Sequence, residues 1–489
     1  MNVNSSDDRC VSPESPTMNR TALVGLLALI ALPAPALAHA HLKSATPAAG
    51  TTLTVAPKQL VLTFSEAPAL AMSALRLFGP DSTPVALGEL THDAGVRTLS
   101  ANIAAPLVPG RYTVQWQTAG DDGHVQRGSY QFVIAPGAEG LAAAASVVAQ
   151  QESIAHPPGA ASSASSATAL PNASSFDENS VLYVIIRWAQ FAALLLLIGA
   201  VAFRWWILPR AGVAVEEPAR RALAAGAAAT GSWGAWLLAG TAIARLLAQS
   251  ASLHGAGHMA DPVVLGPLIT RTLWGDAWLL EIVAAIVAIV ALRMARRDAT
   301  SVLPWRIATL AVVALAFVPA MSGHAIATPQ QAPIAVIADA IHVLAAGAWL
   351  GGLAVMLGVG LPATTRESSS GRASALSTMV NAFSPLALGS AGLLVFTGII
   401  AARYHVGSWS AFTTTEYGRT LLIKLAIIVL LLVVAAWNWR RVRPSLASGG
   451  AEGSARLTRS GRAEVLLAIV VLLVTAILVA LPTPVEALR

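Results

Sequence analysis

The sequence predicts two folds in series: a small exported all-β domain, an antiparallel sandwich, and then an all-α polytopic membrane domain of about eight transmembrane helices. Three observations carry this. First, of 489 residues 55% are hydrophobic and 11% are charged, against about 25% charged in a soluble domain. Mean hydropathy is +0.64. A soluble core cannot use that much apolar surface, which excludes a cytosolic enzyme. Second, the apolar residues fall into long blocks only after residue 181, and short β-rich runs precede them. Third, a stretch laid out like a secretion signal comes before both. The formal charge of +6 is almost all arginine, with Lys43, Lys58 and Lys424 the only lysines. In a membrane protein such an excess is a topology signal, and no nucleic-acid partner is expected.

The elements follow in chain order. Residues 1–17 are polar, and Met18 reads as the true start, with those seventeen residues a start-site extension. Met18-Asn19-Arg20 is a positive n-region and Thr21 to Leu32 an apolar h-region, too short to cross a bilayer. Ala36-Leu37-Ala38 is an A-x-A cleavage site, so residues 1–38 are assigned to extension and signal peptide. Cleavage removes Cys10, the only cysteine, so neither a disulfide nor a thiolate cluster can form in the mature chain. The mature chain then begins His39-Ala40-His41.

Residues 39–135 carry the β-rich runs Leu60–Phe64, Leu75–Phe78, Tyr112–Trp116 and Tyr130–Ile134, separated by turn signals such as Pro109-Gly110 and Gly79-Pro80. Residues 136–180 are rich in Ala, Ser, Pro and Gly without periodicity and read as a flexible linker. A coil of that length reaches roughly 35–40 Å. From residue 181 to 482 eight apolar spans follow, at about 181–208, 222–248, 273–293, 305–323, 331–361, 376–402, 418–439 and 463–482. With residue 180 outside, the loops after spans 1, 3, 5 and 7 are cytoplasmic and hold sixteen arginines, among them Arg220, Arg221, Arg296, Arg297, Arg440 and Arg441. The outer loops between spans hold three, Arg271, Arg403 and Arg419. Signal peptide and positive-inside rule therefore agree: a multi-pass protein of a bacterial inner membrane with its N-terminal domain in the periplasm.

The exported domain carries a metal constellation. A free α-amine on His39 adds a second nitrogen to its imidazole. Near the last strand comes Asp121-Asp122-Gly123-His124, in which Asp122 and His124, two apart, share one face of an extended strand. Amine, two imidazoles and a carboxylate suit tetragonal Cu(II). Zn(II) would accept the same donors, but the amine chelate favours copper.

At these residues the sequence resembles the CopC family of periplasmic copper-binding proteins. The motifs are His39-Ala40-His41-Leu42, Ser44–Ala48, Phe64-Ser65-Glu66, Pro109–Trp116 and Asp122-Gly123-His124, covering essentially all of 39–135. The resemblance implies a Greek-key sandwich or barrel, with His39, Asp122 and His124 as Cu(II) ligands, Glu66 as an additional contact, and His41 as a competitor if cleavage shifts. Met72 is the only methionine of the domain, so the Met-rich loop of a Cu(I) site is missing.

Ionisable residues inside spans are functional hypotheses. Here they are Arg187, Arg245, Asp276, Glu281, Asp339, His342 and Lys424, and on the topology above all lie in the outer half or near the midplane. Asp339 and His342, spaced i, i+3, share a helix face. Such a carboxylate can orient an imidazole toward a metal. The outer loops add His254, His258 and Met259, then Met321 and His324, then His405, while the cytoplasmic loops hold no histidine. Imidazole and thioether together suit Cu(I). Spans 5 to 8 resemble the CopD family of membrane copper-resistance proteins through Ser322–Ala325, His342–Gly352, Phe383-Ser384-Pro385 and Tyr417-Gly418-Arg419 with Lys424. Spans 1 to 4 do so less sharply, through Trp274-Gly275. A CopC domain joined to a CopD domain is similar to the fusion architecture of that family.

The expectation is capture of Cu(II) by the β domain at His39, Asp122 and His124, then transfer through His254, His258, His324 or His405 to Asp339 and His342. The outcome is copper transport, with import the expected direction, and copper homeostasis and resistance. Partners are copper ions, the lipid bilayer and other periplasmic copper proteins. No ATP-binding motif is visible, and the reading is not enzymatic. Two alternatives stand beside it: sequestration without transport, and a copper-dependent oxidative enzyme, against which Asp122 in the ligand set argues.

Overall fold

Alternation builds the β domain. In β3 (Gln59–Phe64) the side chains of Leu60, Leu62 and Phe64 are fully buried and Gln59 is exposed, the period of two of a half-buried strand. The computed structural model describes residues 42–65, 67–92, 97–119, 125–139, 180–211, 216–299, 301–322, 332–363, 369–442, 451–481 and 483–484. Of the two units into which the chain divides, Met1–Pro35 lies outside these residues, and Ala36–Arg489 holds everything that follows.

The remaining strands are β1 (Leu42–Thr46), β2 (Thr52–Val55), β4 (Ala74–Phe78), β5 (Pro84–Val85), β6 (Thr98–Asn102), β7 (Gly110–Ala119) and β8 (Val125–Glu139). They form two sheets, β1-β3-β6 and β2-β8-β7-β4-β5, so that the chain changes sheet repeatedly as it runs. Every pairing among them is antiparallel except β2 with β8. The inner faces meet in a core of Leu60, Leu62, Phe64, Leu77, Leu99, Tyr112, Val114, Trp116 and Phe132. Tyr112 stacks on Phe132 at 5.4 Å, and Phe64 meets Trp116 edge-on at 5.3 Å, both favoured aromatic geometries. The Tyr112 hydroxyl donates to the Val108 carbonyl and accepts from the Val108 amide, each at 2.8 Å, the bond that pins a tyrosine corner in sandwich folds. Burial raises the Tyr112 phenol above its usual value and pushes that of Tyr130 up to about 12.

Among the described residues the helical domain contains eight long helices: α1 (Val181–Ala211), α2 (Glu217–His254), α3 (Leu273–Arg297), α4 (Leu303–Met321), α5 (Pro333–Ala363), α6 (Ser369–His405), α7 (Glu416–Arg441) and α8 (Ala451–Leu478). Seven are long and apolar enough to cross a membrane, and α2 is the exception. Its length of 38 residues is ample, but Ala, Gly, Ser and Thr dilute its hydropathy. It runs antiparallel to two spans along their whole length. Against α1 it pairs Gly234 with Ala193 and Gln249 with Tyr183, and against α3 it pairs Ala242 with Trp278 and Trp236 with Arg293. It packs beside both, and the small residues that weaken its hydropathy signal are what let three helices close up.

Glycine also sets the tightest crossing, between α1 and α5. A Cβ on Gly351 would lie 1.8 Å from the Leu195 carbonyl oxygen, and one on Gly347 would lie 2.5 Å from Ile198. The Gly347-x-x-x-Gly351 spacing is the small-residue pattern of close membrane helix contacts. The same stretch, Gly347–Gly351, widens into π-helical turns, as do Met356–Gly360 and, on α1, Phe203–Ile207. On the outer flanks Leu310 and Leu388 are 72% and 74% exposed, apolar surface of the kind a bilayer covers.

Candidate metal-handling site

The β domain sits directly on one end of the helical bundle. Its 3-10 turn Leu70–Met72 and the facing ends of β7 and β8 contribute Ala69, Met72, Ala119 and Val125 to an apolar cluster. From the bundle come Leu246, Leu253, Trp274 and Trp278, with Leu265, Leu268 and Ile269 of a short helix, Pro262–Thr270. Two polar side chains fix the seat. Gln117 Nε2 donates to the Leu253 carbonyl at 3.0 Å, and Arg127 Nη2 donates to the Ser252 carbonyl. Arg127 Nε donates to Gln117 Oε1 at 2.8 Å, so the two cross-strand partners act as one clamp. Both acceptors are last-turn carbonyls of α2, which have no partner within the helix and lie at the negative end of its dipole.

That last turn ends on His254. The imidazole of His254 is half-buried, and burial is the main cause holding it below the usual histidine range, so it is neutral at neutral pH. One turn on stand His258 and Met259, both exposed. His258 Nδ1 lies 3.7 Å from Asp261, whose carboxylate accepts from the Val263 amide and caps the short helix. A neutral imidazole, a second imidazole and a thioether at the β-domain end are soft and borderline donors suited to copper.

Deeper in the bundle are two separate polar centres. In the first, Arg245 on α2 donates to Glu281 on α3 at 2.8 Å, with both side chains almost fully buried. Gln190 on α1 donates to the other oxygen of Glu281. Arg245 also reaches Ser322 Oγ at 3.1 Å and stacks over Trp274. Tyr183 donates to Gln249 at 2.6 Å, and Arg187 lies over the Tyr183 ring. Both Glu281 oxygens are thus occupied, and this centre is closed.

The second centre is built differently. His342 on α5 has Nδ1 2.8 Å from Thr397 Oγ1 on α6, and the same Oγ1 stands 2.7 Å from the Leu393 carbonyl. A carbonyl only accepts, so Thr397 spends its single proton on Leu393. Both contacts are hydrogen bonds only if His342 donates from Nδ1. That tautomer leaves the Nε2 lone pair unprotonated, the form that binds a metal. Asp339 lies one turn back on the same helix, and Lys424 on α7 is near enough to act electrostatically on both. Asp339, His342 and Lys424 are each half-buried.

Of the residues singled out from sequence, His254 and His258 lie close enough to interact electrostatically, Asp339 and His342 stand one turn apart on α5 and both feel Lys424, and His405 ends α6. His39, His41, Glu66, Asp122, His124 and His324 lie outside the described residues, as does most of the 136–180 stretch. Among the described residues no three His, Cys, Asp or Glu side chains converge. Thr397 and the Gln117–Arg127 clamp were not legible in the sequence. A lone threonine in an apolar helix was the only signal for the former.

Comparison with known proteins bears on all three regions. Residues 42–135 match the family model of the CopC domain, 177–332 that of the copper resistance protein D-like N-terminal domain, and 377–478 that of copper resistance protein D. The copper transport protein CutJ of Bacillus subtilis (strain 168) is 24% identical over 478 residues, 96% of this chain and 79% of that protein. Copper resistance protein C of Pseudomonas syringae pv. tomato is 33% identical over 124 residues, 24% of this chain and 98% of that protein. Among solved structures, that of PcoC, a methionine-rich copper resistance protein from Escherichia coli, is 31% identical, covering 20% of this chain and 99% of that one with a TM-score of 0.19.

A β domain seated on a multi-pass helical bundle, with imidazoles from the seat inward, defines a copper-handling membrane protein. The chain belongs to the CopC–CopD family of copper resistance and transport proteins.

Proposed function

We propose that the protein captures Cu(II) in the periplasm at His39, Asp122 and His124 of its β domain. It then passes copper through the membrane domain toward the cytoplasm, by way of His254 and His258 and then Asp339 and His342. His324 and His405 are further stations at the same end. The signal-peptide layout and the arginine-rich loops remote from the β domain support this orientation.

One observation carries the reading: the seat of the β domain. The proposed Cu(II) turn joins β7 to β8, and the residues that flank it, Ala119 and Val125, belong to the cluster against α2. The clamp from Gln117 and Arg127 grips the two residues just before His254. Because Ala119 and Val125, on either side of that segment, pack against the end of α2 that carries His254, a seated donor would shorten the search that a free tether requires. Copper arrives as Cu(II) on nitrogen and oxygen donors and meets imidazole with the Met259 thioether, which also accommodates Cu(I). At His342 the free Nε2 offers a ligand and Asp339 a compensating negative charge.

The test is the copper content of cells expressing the wild type, His39→Ala, His342→Ala or Arg127→Glu. Transport predicts raised cytoplasmic copper with the wild type and a loss in each variant, the Arg127 change acting by unseating the donor. Cytoplasmic copper unchanged in all four, with membrane-bound copper still raised, would replace transport by sequestration. A residue inserted before His39 should weaken Cu(II) binding sharply, because it removes the α-amine chelate.

A further inference from the structure

The helical domain repeats one plan. A shift of 152 positions carries Val181 to Pro333, the first residues of α1 and α5, which are both 31 residues long. The same shift carries Gly199 to Gly351, Arg187 to Asp339 and Gln190 to His342. Glu217 goes to Ser369, the first residues of α2 and α6, which have 38 and 37 residues and each end on a histidine. Near their far ends α1 and α5 both hold a π turn, Phe203–Ile207 and Met356–Gly360, followed by Leu-Pro.

The opening of α3 and α7 repeats atom for atom. Thr272 accepts from the Gly275 amide at 2.9 Å and donates to the Leu268 carbonyl at 2.6 Å. Thr415 accepts from the Gly418 amide at 3.0 Å and donates to the Ala411 carbonyl at 2.7 Å. In each case the glycine lets the helix start press on the preceding short helix: a Cβ would stand 2.2 Å from the Ile269 carbonyl oxygen in one, 2.1 Å from that of Ala411 in the other. The aromatic before it is Trp274 in one and Tyr417 in the other.

The two copies also meet at equivalent residues. A Cβ on Gly199 would lie 2.1 Å from the Gly351 carbonyl carbon, and one on Gly351 would lie 3.1 Å from the Gly199 Cα. Contact between equivalent positions marks a two-fold relation. Each copy has four long helices, an even number, so both face the same way, with the axis along the membrane normal.

Placed in this frame, the closed centre of the first copy maps onto the open centre of the second. The shift that takes Gln190 to His342 takes Arg245 to Thr397, and the shared Thr-x-aromatic-Gly start of α3 and α7 takes Glu281 to Lys424. We propose that the membrane domain is two copies of one four-helix unit with divided labour. In the first, Gln190, Arg245 and Glu281 form a structural lock; in the second, His342, Thr397 and Lys424 handle copper, with Lys424 the positioning residue whose charge keeps the metal weakly held.

This rests on the copper-transit reading of Asp339 and His342. A carboxylate at the Lys424 position, as in the first copy, would complete a tight cation site. An ammonium there opposes the metal. Lys424 acts electrostatically on both Asp339 and His342, and at an effective dielectric near 20 a unit charge close enough to do so changes cation affinity by on the order of 100-fold. A pathway needs sites the ion can leave.

The test uses the full chain in lipid nanodiscs with Cu(I) delivered from a competing chelator, comparing wild type, Lys424→Gln, Lys424→Arg, Glu281→Gln and His342→Ala. Lys424→Gln is expected to tighten the His342-dependent binding by on the order of 100-fold and to slow copper release. Lys424→Arg should keep wild-type values. Glu281→Gln should lower the melting temperature and leave copper affinity unchanged. Unchanged or weaker binding in Lys424→Gln, with binding abolished by His342→Ala, overturns this proposal alone. Binding unaffected by His342→Ala overturns the transit reading and this proposal with it. A copper effect from Glu281→Gln matched by only a stability effect from Lys424→Gln reverses the assignment of the copies and refutes it.

Discussion

The hydroxyl of Thr397 should matter to copper although it need never touch it. His342 Nδ1 and the Leu393 carbonyl stand 2.8 and 2.7 Å from Thr397 Oγ1, and the threonine has one proton to give. The imidazole is therefore held with Nδ1–H toward the hydroxyl and Nε2 bare. Thr397→Val preserves shape and removes the acceptor. The Nδ1–H then has nothing to bond, and leaving a half-buried donor unmatched costs about 1–3 kcal/mol. The ring can recover by rotating or by taking the other tautomer, and either removes Nε2 from the metal position. Outer-shell partners of metal-binding histidines typically carry about 10–100-fold in affinity, so copper affinity at His342 should fall by that factor. Thr397→Ser, which can back-bond to Leu393 in the same way, should restore it. The assay is equilibrium copper binding by the full chain, with His342→Ala as the zero. Binding by Thr397→Val equal to wild type, with His342→Ala abolishing it, would refute the tautomer argument. So would a loss in Thr397→Ser as large as in Thr397→Val.

Three further outcomes follow from the same contacts. Glu281→Ala leaves Arg245 buried and unpaired and should destabilise the bundle by about 3–5 kcal/mol, whereas Arg245→Met with Glu281→Leu should recover most of that in thermal unfolding. Gly351→Ala places a methyl against the Leu195 carbonyl, whose oxygen lies only 1.8 Å from where that Cβ must go; helices α1 and α5 must part, and the melting temperature should drop by the equivalent of about 1–3 kcal/mol or more. Tyr130, raised by burial from 10.0 to about 12 in the folded state, favours the folded β domain while neutral. That contribution, about 2.7 kcal/mol at most, is complete below pH 10 and lost as pH rises through about 12. Alkaline unfolding of the β domain followed by tyrosinate absorbance should track it, and Tyr130→Phe should remove that alkaline step.

Much of the fold was legible because it rests on local periodicity. The runs at Leu60–Phe64 and Tyr112–Trp116 alternate and bury as alternation requires. Seven helices announce themselves by hydropathy. Helix α2 is the instructive case: counting apolar blocks found it, while its hydropathy alone falls short, because residues such as Gly231 and Gly234 are chosen for contact with α1 and not for lipid. The seat of the β domain was not legible. Gln117 and Arg127 look like ordinary polar positions on adjacent strands, and only the tertiary arrangement supplies the α2 carbonyls they grip.

The intramembrane charges show most clearly what sequence can and cannot assign. Read along the chain, Arg245, Glu281, Asp339, His342 and Lys424 form one class, costly groups that ought to be functional. Their fates separate only through which helices abut. Arg245 and Glu281 pair across α2 and α3 and Gln190 donates to the other Glu281 oxygen, so each carboxylate oxygen is engaged, while Arg245 Nε stays buried without a partner. His342 faces a threonine that fixes its tautomer and leaves a nitrogen bare. An ionisable residue in a membrane is thus evidence of expense, and unfilled bonding capacity is what distinguishes a site from a lock. By that criterion the proposed copper path enters beside α2 at His254 and His258 and continues in the second four helices at His342, while the Arg245–Glu281 pair serves packing.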